Sequence, residues 1–395
     1  MNGGNLNELS IVIPTYNRQE LLAQLLAYYR VKRSAASFLI LDSSESSIAD
    51  RNARVVAEGG GHFRHVVYPT TTSVAEKLSR GLALVKTPYC AMCADDDLVF
   101  LDGVKQALDY LKGHPDRVCA DGIYLNFFRS KADIYLKIEY GSKGIEAEHP
   151  GARVFRLFQN YESLFYGVFR TPDLTEIFAG VSRNSSLHYQ ELFQATSALL
   201  IGKSHRLPVF YAGRQHCVPA DPSRDKWQTY YWFAEDREEF LCHYVRYREH
   251  LWEFYERRVA GPRLSKDEFV KSMDIAHAVF FGSGCPPEFF YSVLQPLWPR
   301  DPFKHLPDGD DVCNQLRRGA RRRSWKGPVR RFGAWLQEFA AADPSSSGVD
   351  EINLSAREQF RTPWKCLLEP ELEWLADTGR FRLAYFELCR YMDGP

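Results

Sequence analysis

An α/β fold, with a mostly parallel sheet and flanking helices, is what this sequence of 395 residues predicts, and three segments predict it. The runs Leu9–Pro14 (LSIVIP), Ser37–Leu41 (SFLIL) and Tyr89–Ala94 (YCAMCA) are apolar. Each stops abruptly at polar residues: Thr15-Tyr16-Asn17-Arg18, Asp42-Ser43-Ser44 and Asp95-Asp96-Asp97. Short apolar runs bounded in this way read as buried strands. Between the first two, Leu21, Leu22, Leu25, Leu26 and Tyr29 recur at helical spacing, so strand, helix and strand alternate as a parallel sheet with crossover helices requires.

Further along, Leu101–Lys112 reads as a helix, followed by strands over Arg117–Phe127 and Asp133–Tyr140. Gly141–Gly151, rich in glycine and charge, is expected to form a loop over the site. Leu164–Arg170 reads as a strand, Ser186–Ile201 as a helix, and Leu207–Ala212 as a strand leading into Arg214-Gln215-His216. Beyond about residue 225, aromatic-rich helical patterns dominate, broken at Gly261-Pro262, Pro286-Pro287 and Pro363. Two domains are expected, a sheet domain over 1–222 and a helical carboxy-terminal domain over 223–395.

Composition excludes more than it assigns. Fifty basic and fifty acidic residues cancel, leaving no global field that would select a nucleic acid partner. Met1–Glu8 lacks a basic and apolar leader, and no segment has the roughly 20 consecutive apolar residues of a membrane span, so the expectation is a cytoplasmic protein. Nine cysteines, an odd number, fit reduced thiols better than a disulfide framework. Cys90 and Cys93 spell CxxC, but on a strand positions three apart face opposite ways, which disfavours joint chelation.

The aspartate triplet carries the chemistry. Clustered carboxylates behind a buried strand offer the oxygen donors that a hard divalent cation such as Mn2+ or Mg2+ prefers, and a diphosphate is the cargo expected of such an ion. In open α/β sheets, ligands lie outside the carboxyl ends of the strands, so Tyr16, Asn17, Asp42 and the triplet should converge on one edge. The alternative is a solvated acidic turn at the start of the Leu101 helix. Three adjacent carboxylates repel one another, which favours a cation.

The order SIVIPTYNR, LDSS and EKLSRGLALVKTPYCAMCADDD resembles the amino-terminal half of the family 2 glycosyltransferases, inverting enzymes with the GT-A fold. Each motif is short, and their order and spacing together make the resemblance specific. It implies a nucleotide-sugar donor, commonly a uridine diphosphate sugar, and a divalent ion held by a DxD-like motif. On that pattern Asp97 is a direct metal ligand, Asp96 touches metal or ribose, and Asp95 stands beside them. The resemblance also implies that Tyr16 stacks on uracil and that Asp42 accepts a hydrogen bond from the base, with Pro14, Thr15 and Asn17 shaping the same turn. Asp42 has an alternative as an Asx-turn residue bonding its own backbone. Lys77, three positions from Arg80 on one helix, is a candidate for the diphosphate; a solvated helix face is the alternative for both.

The segment HYQELFQATSALLIGK is similar to the family's acidic helix start, usually Glu-Asp. Here the pair is Gln190-Glu191, so the role of general base falls to Glu191 alone. A first-turn glutamate complementing the helix dipole is the competing reading. His188 would shape the acceptor pocket or cap that helix. His216, shortly after the last strand, resembles the histidine that completes the metal shell or touches the diphosphate in related transferases; an ordinary loop histidine is the alternative. Arg317–Arg331 (RRGARRRSWKGPVRR), which contains Trp325 and is followed by Trp335, could meet an anionic membrane surface. Gly319, Gly327 and Pro328 break any amphipathic helix there, and a solvated linker is favoured.

The reading that unites these residues is a metal-dependent inverting glycosyltransferase. It would move a sugar from a nucleoside diphosphate sugar to a hydroxyl of a glycan, lipid-linked or protein acceptor, in bacterial-type polysaccharide or glycoconjugate synthesis. Side chains around Tyr166 and Gly167 would line the donor pocket. The rivals are a binding or assembly protein that kept the fold without turnover, and a sugar-phosphate nucleotidyltransferase. The second is disfavoured because no glycine-rich phosphate loop follows the first strand.

Overall fold

The computed structural model describes residues 6–32, 34–130, 133–139, 142–215, 237–259, 263–283 and 378–393. The alternation read from the sequence is present: β1 (Leu9–Thr15), α1 (Gln19–Lys32), β2 (Ser37–Asp42), α2 (Ser46–Ala57), β3 (Phe63–Val67), α3 (Val74–Leu82), β4 (Tyr89–Met92). There follow β5 (Leu98–Val99), α4 (Leu101–Gly113), β6 (Arg117–Ser130), β7 (Asp133–Glu139), α5 (Pro150–Gln159), β8 (Val168–Arg170), α6 (Thr171–Val181), α7 (Leu187–Ile201) and β9 (Lys203–Gln215). Three more helices are described: α8 (Arg237–Arg258), α9 (Lys266–Ser283) and α10 (Thr378–Asp393).

The strands form one mixed sheet in the order β3-β2-β1-β4-β8-β6-β9-β5, with β7 added beside β6. The first four run parallel. β8 is antiparallel to both neighbours, and β6 and β9 return to the parallel sense. Alternation along β1 and β2 divides the core: Val12, Leu39 and Leu41 enter the cluster on one face, whereas Ile11, Ile13, Phe38 and Ile40 enter that on the other. Cys90 and Cys93, both fully buried, fall in different clusters, as strand geometry demands.

Helix α3 is N-capped by Ser73, whose Oγ accepts from the Glu76 amide at 3.2 Å. It packs so tightly on β2 that a Cβ at Gly81 would lie 2.3 Å from the Leu41 side chain. The helical part is joined to the sheet domain by shared core. Tyr244, Tyr247, Phe254, Phe269 and Met273 belong to the same cluster as Tyr189 and Phe193 of α7. A buried polar chain crosses that contact: Thr196 Oγ1 lies 3.0 Å from Tyr247 OH, which lies 2.9 Å from His277 Nε2. Helix α10 backs the opposite face, where Leu388 sits against Gly213 of β9 and Gln24 of α1 donates to the Tyr391 carbonyl at 2.6 Å.

Two expectations are corrected. The strand expected over Leu164–Arg170 is confined to Val168–Arg170, because the Gly167 amide bonds the Leu164 carbonyl at 3.2 Å and makes a turn of the preceding residues. The segment from 142 onward does not lie over the site. Ile145 and Ser204 exchange backbone hydrogen bonds of 3.0 Å, pinning it to the first residues of β9, whereas the far end of that strand meets the aspartates. The reason is a buried cation: Arg206, on the early part of β9, grips Asp121 through two contacts of 3.1 Å and also binds Glu162, which Ser142 in turn bonds. No helix among the described residues is long and apolar enough to cross a membrane.

Candidate active site

The carboxyl ends of β1 and β2 are in register, Thr15 beside Asp42. Asp42 is fully buried and accepts at Oδ1 from the Ser44 amide at 2.8 Å, which is the Asx-turn contact. Its Oδ2 accepts from Asn52 Nδ2 at 2.8 Å and lies 3.0 Å from His65 Nε2. Burial alone would raise its pKa, but the bonds from His65, Ser44 and Asn52 outweigh it and pull the group down to about 2. Asn17 adopts a left-handed φ of 55°, which asparagine tolerates, and its side chain accepts from the Glu45 amide at 3.0 Å. The two turns are thereby laced together, and Tyr16 stands beside them with half its surface exposed.

The triplet follows at the end of β4. Asp95 is buried; its Oδ2 accepts from Thr15 Oγ1 at 2.7 Å and its Oδ1 from Arg18 at 3.1 Å. Asp96 is more open and meets the same Arg18 nitrogen at 2.8 Å. Asp97 is buried, its Oδ1 accepting from the Gln215 amide at 2.7 Å and its Oδ2 from the Tyr166 hydroxyl. Burial first and the neighbouring Asp96 charge second push Asp97 up to about 7. Beneath the turn, Lys77 is buried and donates to the Thr15 carbonyl at 2.6 Å. Burial lowers its pKa, and the charges of Asp42 and Asp95 work against that. The expected solvated helix face therefore fits Arg80 alone, which lies 4.8 Å over the Tyr68 ring and pairs with Glu76; Lys77 is turned inward.

Glu191 lies in the first turns of α7, partly exposed, and accepts from Tyr161 OH at 3.3 Å. Burial raises its pKa, with Arg214 and Tyr161 opposing. Arg214, 5.9 Å over the Tyr166 ring, also lowers Asp97, so both carboxyl groups lie within the field of one guanidinium. His188 sits in the aromatic core rather than with the carboxylates. Burial holds it down to about 4, hence neutral, and its ring lies nearly parallel to that of Phe280.

Several contacts at this edge were not singled out in the sequence. Arg18 stands in plain view within TYNR, yet nothing there says which carboxylates it meets. Tyr161 falls in an ordinary aromatic run, and Tyr166 was expected at the donor pocket without a partner; only the fold brings them to Glu191 and Asp97. His216 and Arg317–Arg331 lie outside the described residues.

Whether these residues suit a divalent ion can be judged from their donors. All three aspartates offer hard oxygen, and Asp96, the most open, is held by a half-exposed arginine. The residues fit such an ion in kind. Each oxygen of Asp97 already accepts from one protein donor, and no group of three or more metal-binding side chains is preassembled among the described residues.

The sheet thus presents carboxylates and an exposed tyrosine at one carboxyl edge, with an acid on a later helix. Residues 10–183 match the family described as Glycosyl transferase family 2. No curated protein sequence matches the chain. Among solved structures, residues 1–349 of TarS from S. aureus are similar at 12% identity and a TM-score of 0.45, over 77% of this chain and 82% of that one. The mannosyltransferase PcManGT from Pyrobaculum calidifontis, solved with GDP-Man and Mn2+, is similar at 13% identity and a TM-score of 0.37, over 96% of this chain and 86% of that one. Mannosyl-3-phosphoglycerate synthase from Rubrobacter xylanophilus is similar at 13% identity and a TM-score of 0.36, over 66% and 79%.

Proposed function

We propose that the protein is a metal-dependent, inverting glycosyltransferase that takes its sugar from a nucleoside diphosphate donor, with uridine diphosphate sugars favoured. The observation that carries this reading is the arrangement at the carboxyl edge: Arg214 lies 5.9 Å over the ring of Tyr166, whose hydroxyl donates to Asp97, and Tyr161 of the same segment donates to Glu191 on α7. Tyr16 would stack on the base. Asp42, fully buried and bonded by Ser44, Asn52 and His65, would accept from the imino group of the base by exchanging one of these contacts. Pro14, Thr15 and Asn17 frame that pocket, and Lys77 fixes its floor through the Thr15 carbonyl.

A Mn2+ or Mg2+ ion held by Asp96 and Asp97, with His216 as a further candidate, would act as a Lewis acid toward the departing diphosphate. Glu191 takes the proton from the acceptor hydroxyl as its oxygen attacks the anomeric carbon, and an α-linked donor gives a β product. The raised pKa of Glu191 suits this task, since a base works best when its pKa approaches the working pH. The helical carboxy-terminal part, packed on α5 and α7, would contribute to the acceptor side, with a glycan, lipid-linked or protein acceptor.

The test is Glu191→Gln assayed against UDP, GDP and TDP sugars with Mn2+. A positioned base contributes about 10²- to 10⁴-fold. Turnover should fall by that order while nucleotide affinity, measured by calorimetry, is retained. Turnover unchanged by the substitution would instead favour a binding or assembly role for the fold.

A further inference from the structure

Besides Arg214, two cations approach the aspartate edge among the described residues, and their circumstances differ. Lys77 comes from beneath, 3% exposed and locked to the Thr15 carbonyl, so it cannot swing toward a ligand without abandoning a buried acceptor. Arg18 comes from the solvent side. Its backbone is fixed, since its carbonyl accepts from the Leu22 amide at 3.0 Å as α1 begins, whereas its side chain is 50% exposed. One nitrogen, Nη1, reaches Asp95 at 3.1 Å and Asp96 at 2.8 Å, so the guanidinium rests on the two carboxylates that precede Asp97.

We infer that Arg18 is an exchangeable cation: it neutralises Asp95 and Asp96 and transfers to the donor's diphosphate when a divalent ion held by Asp96 and Asp97 supplies that charge instead. The inference rests on the metal-dependent reading above and adds Arg18 to the candidates for the phosphates. An ion pair with a half-exposed partner is worth little net, so a doubly charged competitor displaces it readily. A guanidinium released there remains tethered at the same edge, and its planar fork matches a pair of phosphate oxygens better than an ammonium does. Arg18 is therefore a binding residue for the diphosphate group and not for the base.

Calorimetry on the full chain tests this with three probes: Mn2+ alone, UDP with Mn2+, and uridine. In Arg18→Gln, Mn2+ alone should bind about threefold more tightly, because its competitor is gone. UDP with Mn2+ should bind about tenfold more weakly, through loss of a charge-assisted contact, and uridine should be unchanged. Arg18→Lys should fall between wild type and Gln for UDP. The variant's melting temperature checks that it folds, as expected for so exposed a position. Unchanged or weaker Mn2+ binding by Arg18→Gln, or an equal loss for uridine and UDP, overturns the role of Arg18 while leaving the proposed function standing. Wild-type protein that binds neither Mn2+ nor UDP overturns that function, and this inference with it.

Discussion

Tyr161 shows how much a single hydroxyl can govern. It donates to Glu191, and a hydrogen bond to the charged form of an acid lowers its pKa. Removing that donor leaves burial less opposed, so the pKa of Glu191 climbs further. Because the proposed base acts only when deprotonated, Tyr161→Phe should move the acidic limb of the rate profile to higher pH, and the loss should be largest at low pH. Profiles of kcat/KM for the two proteins check this; a uniform loss at every pH would mean that Tyr161 binds acceptor instead. At this scale the sequence was informative where composition is local. Three aspartates behind an apolar run announce themselves. It was silent where the partner is distant, because Tyr166 is 69 positions from Asp97 and Tyr161 is 30 from Glu191.

Among elements, Asp42 is the joint on which three meet: it ends β2, holds Asn52 of α2 and lies against His65 of β3. Its pKa is pulled below the ordinary value of 3.8 to about 2. The stability it contributes is thus present above pH 4 and lost as pH falls toward 2. A shift of that size corresponds to about 2 kcal/mol, so Asp42→Asn should lower the urea-unfolding free energy by that order at pH 7, with the difference shrinking as the pH drops through the same window. β1, α1, β2, β4, α4, β6, β7 and α7 were legible because their apolar periodicity is strong. Helix α2 was not, since it buries only Ala49, Asn52 and Val56. The edge strand β3 leaves Arg64 and Val67 exposed and so carries little alternation. The inward turn of Lys77 was equally hidden: helical spacing groups residues on a face but does not say which face meets the sheet.

At the level of the whole molecule, the described helices after β9 are joined to the sheet through buried surface on both faces, α8 and α9 on one and α10 on the other. Leu388, fully buried, packs against Gly213, the residue before Arg214. Leu388→Ala should cost about 2–5 kcal/mol, the range for a buried leucine. Because the cavity opens behind β9, nucleotide affinity should weaken as well as the melting temperature. A change in melting temperature alone would show that the helix supports the fold without supporting the site. The sequence assigned this region to helices from its periodicity, but its docking against α1 and β9 depends on pairs such as Lys32 with Glu387, which no local pattern reveals.

That docking has a kinetic consequence. Gln24 and Tyr391 are 367 positions apart, and Tyr28 meets Glu387 across 359. Closing so long a loop adds only logarithmically to the entropy cost, but folding slows as the contacts grow more distant along the chain. When denatured protein is diluted into buffer, α10 should be among the later pieces to reach β9, and the capacity to bind a ligand should return after the far-ultraviolet helical signal has recovered.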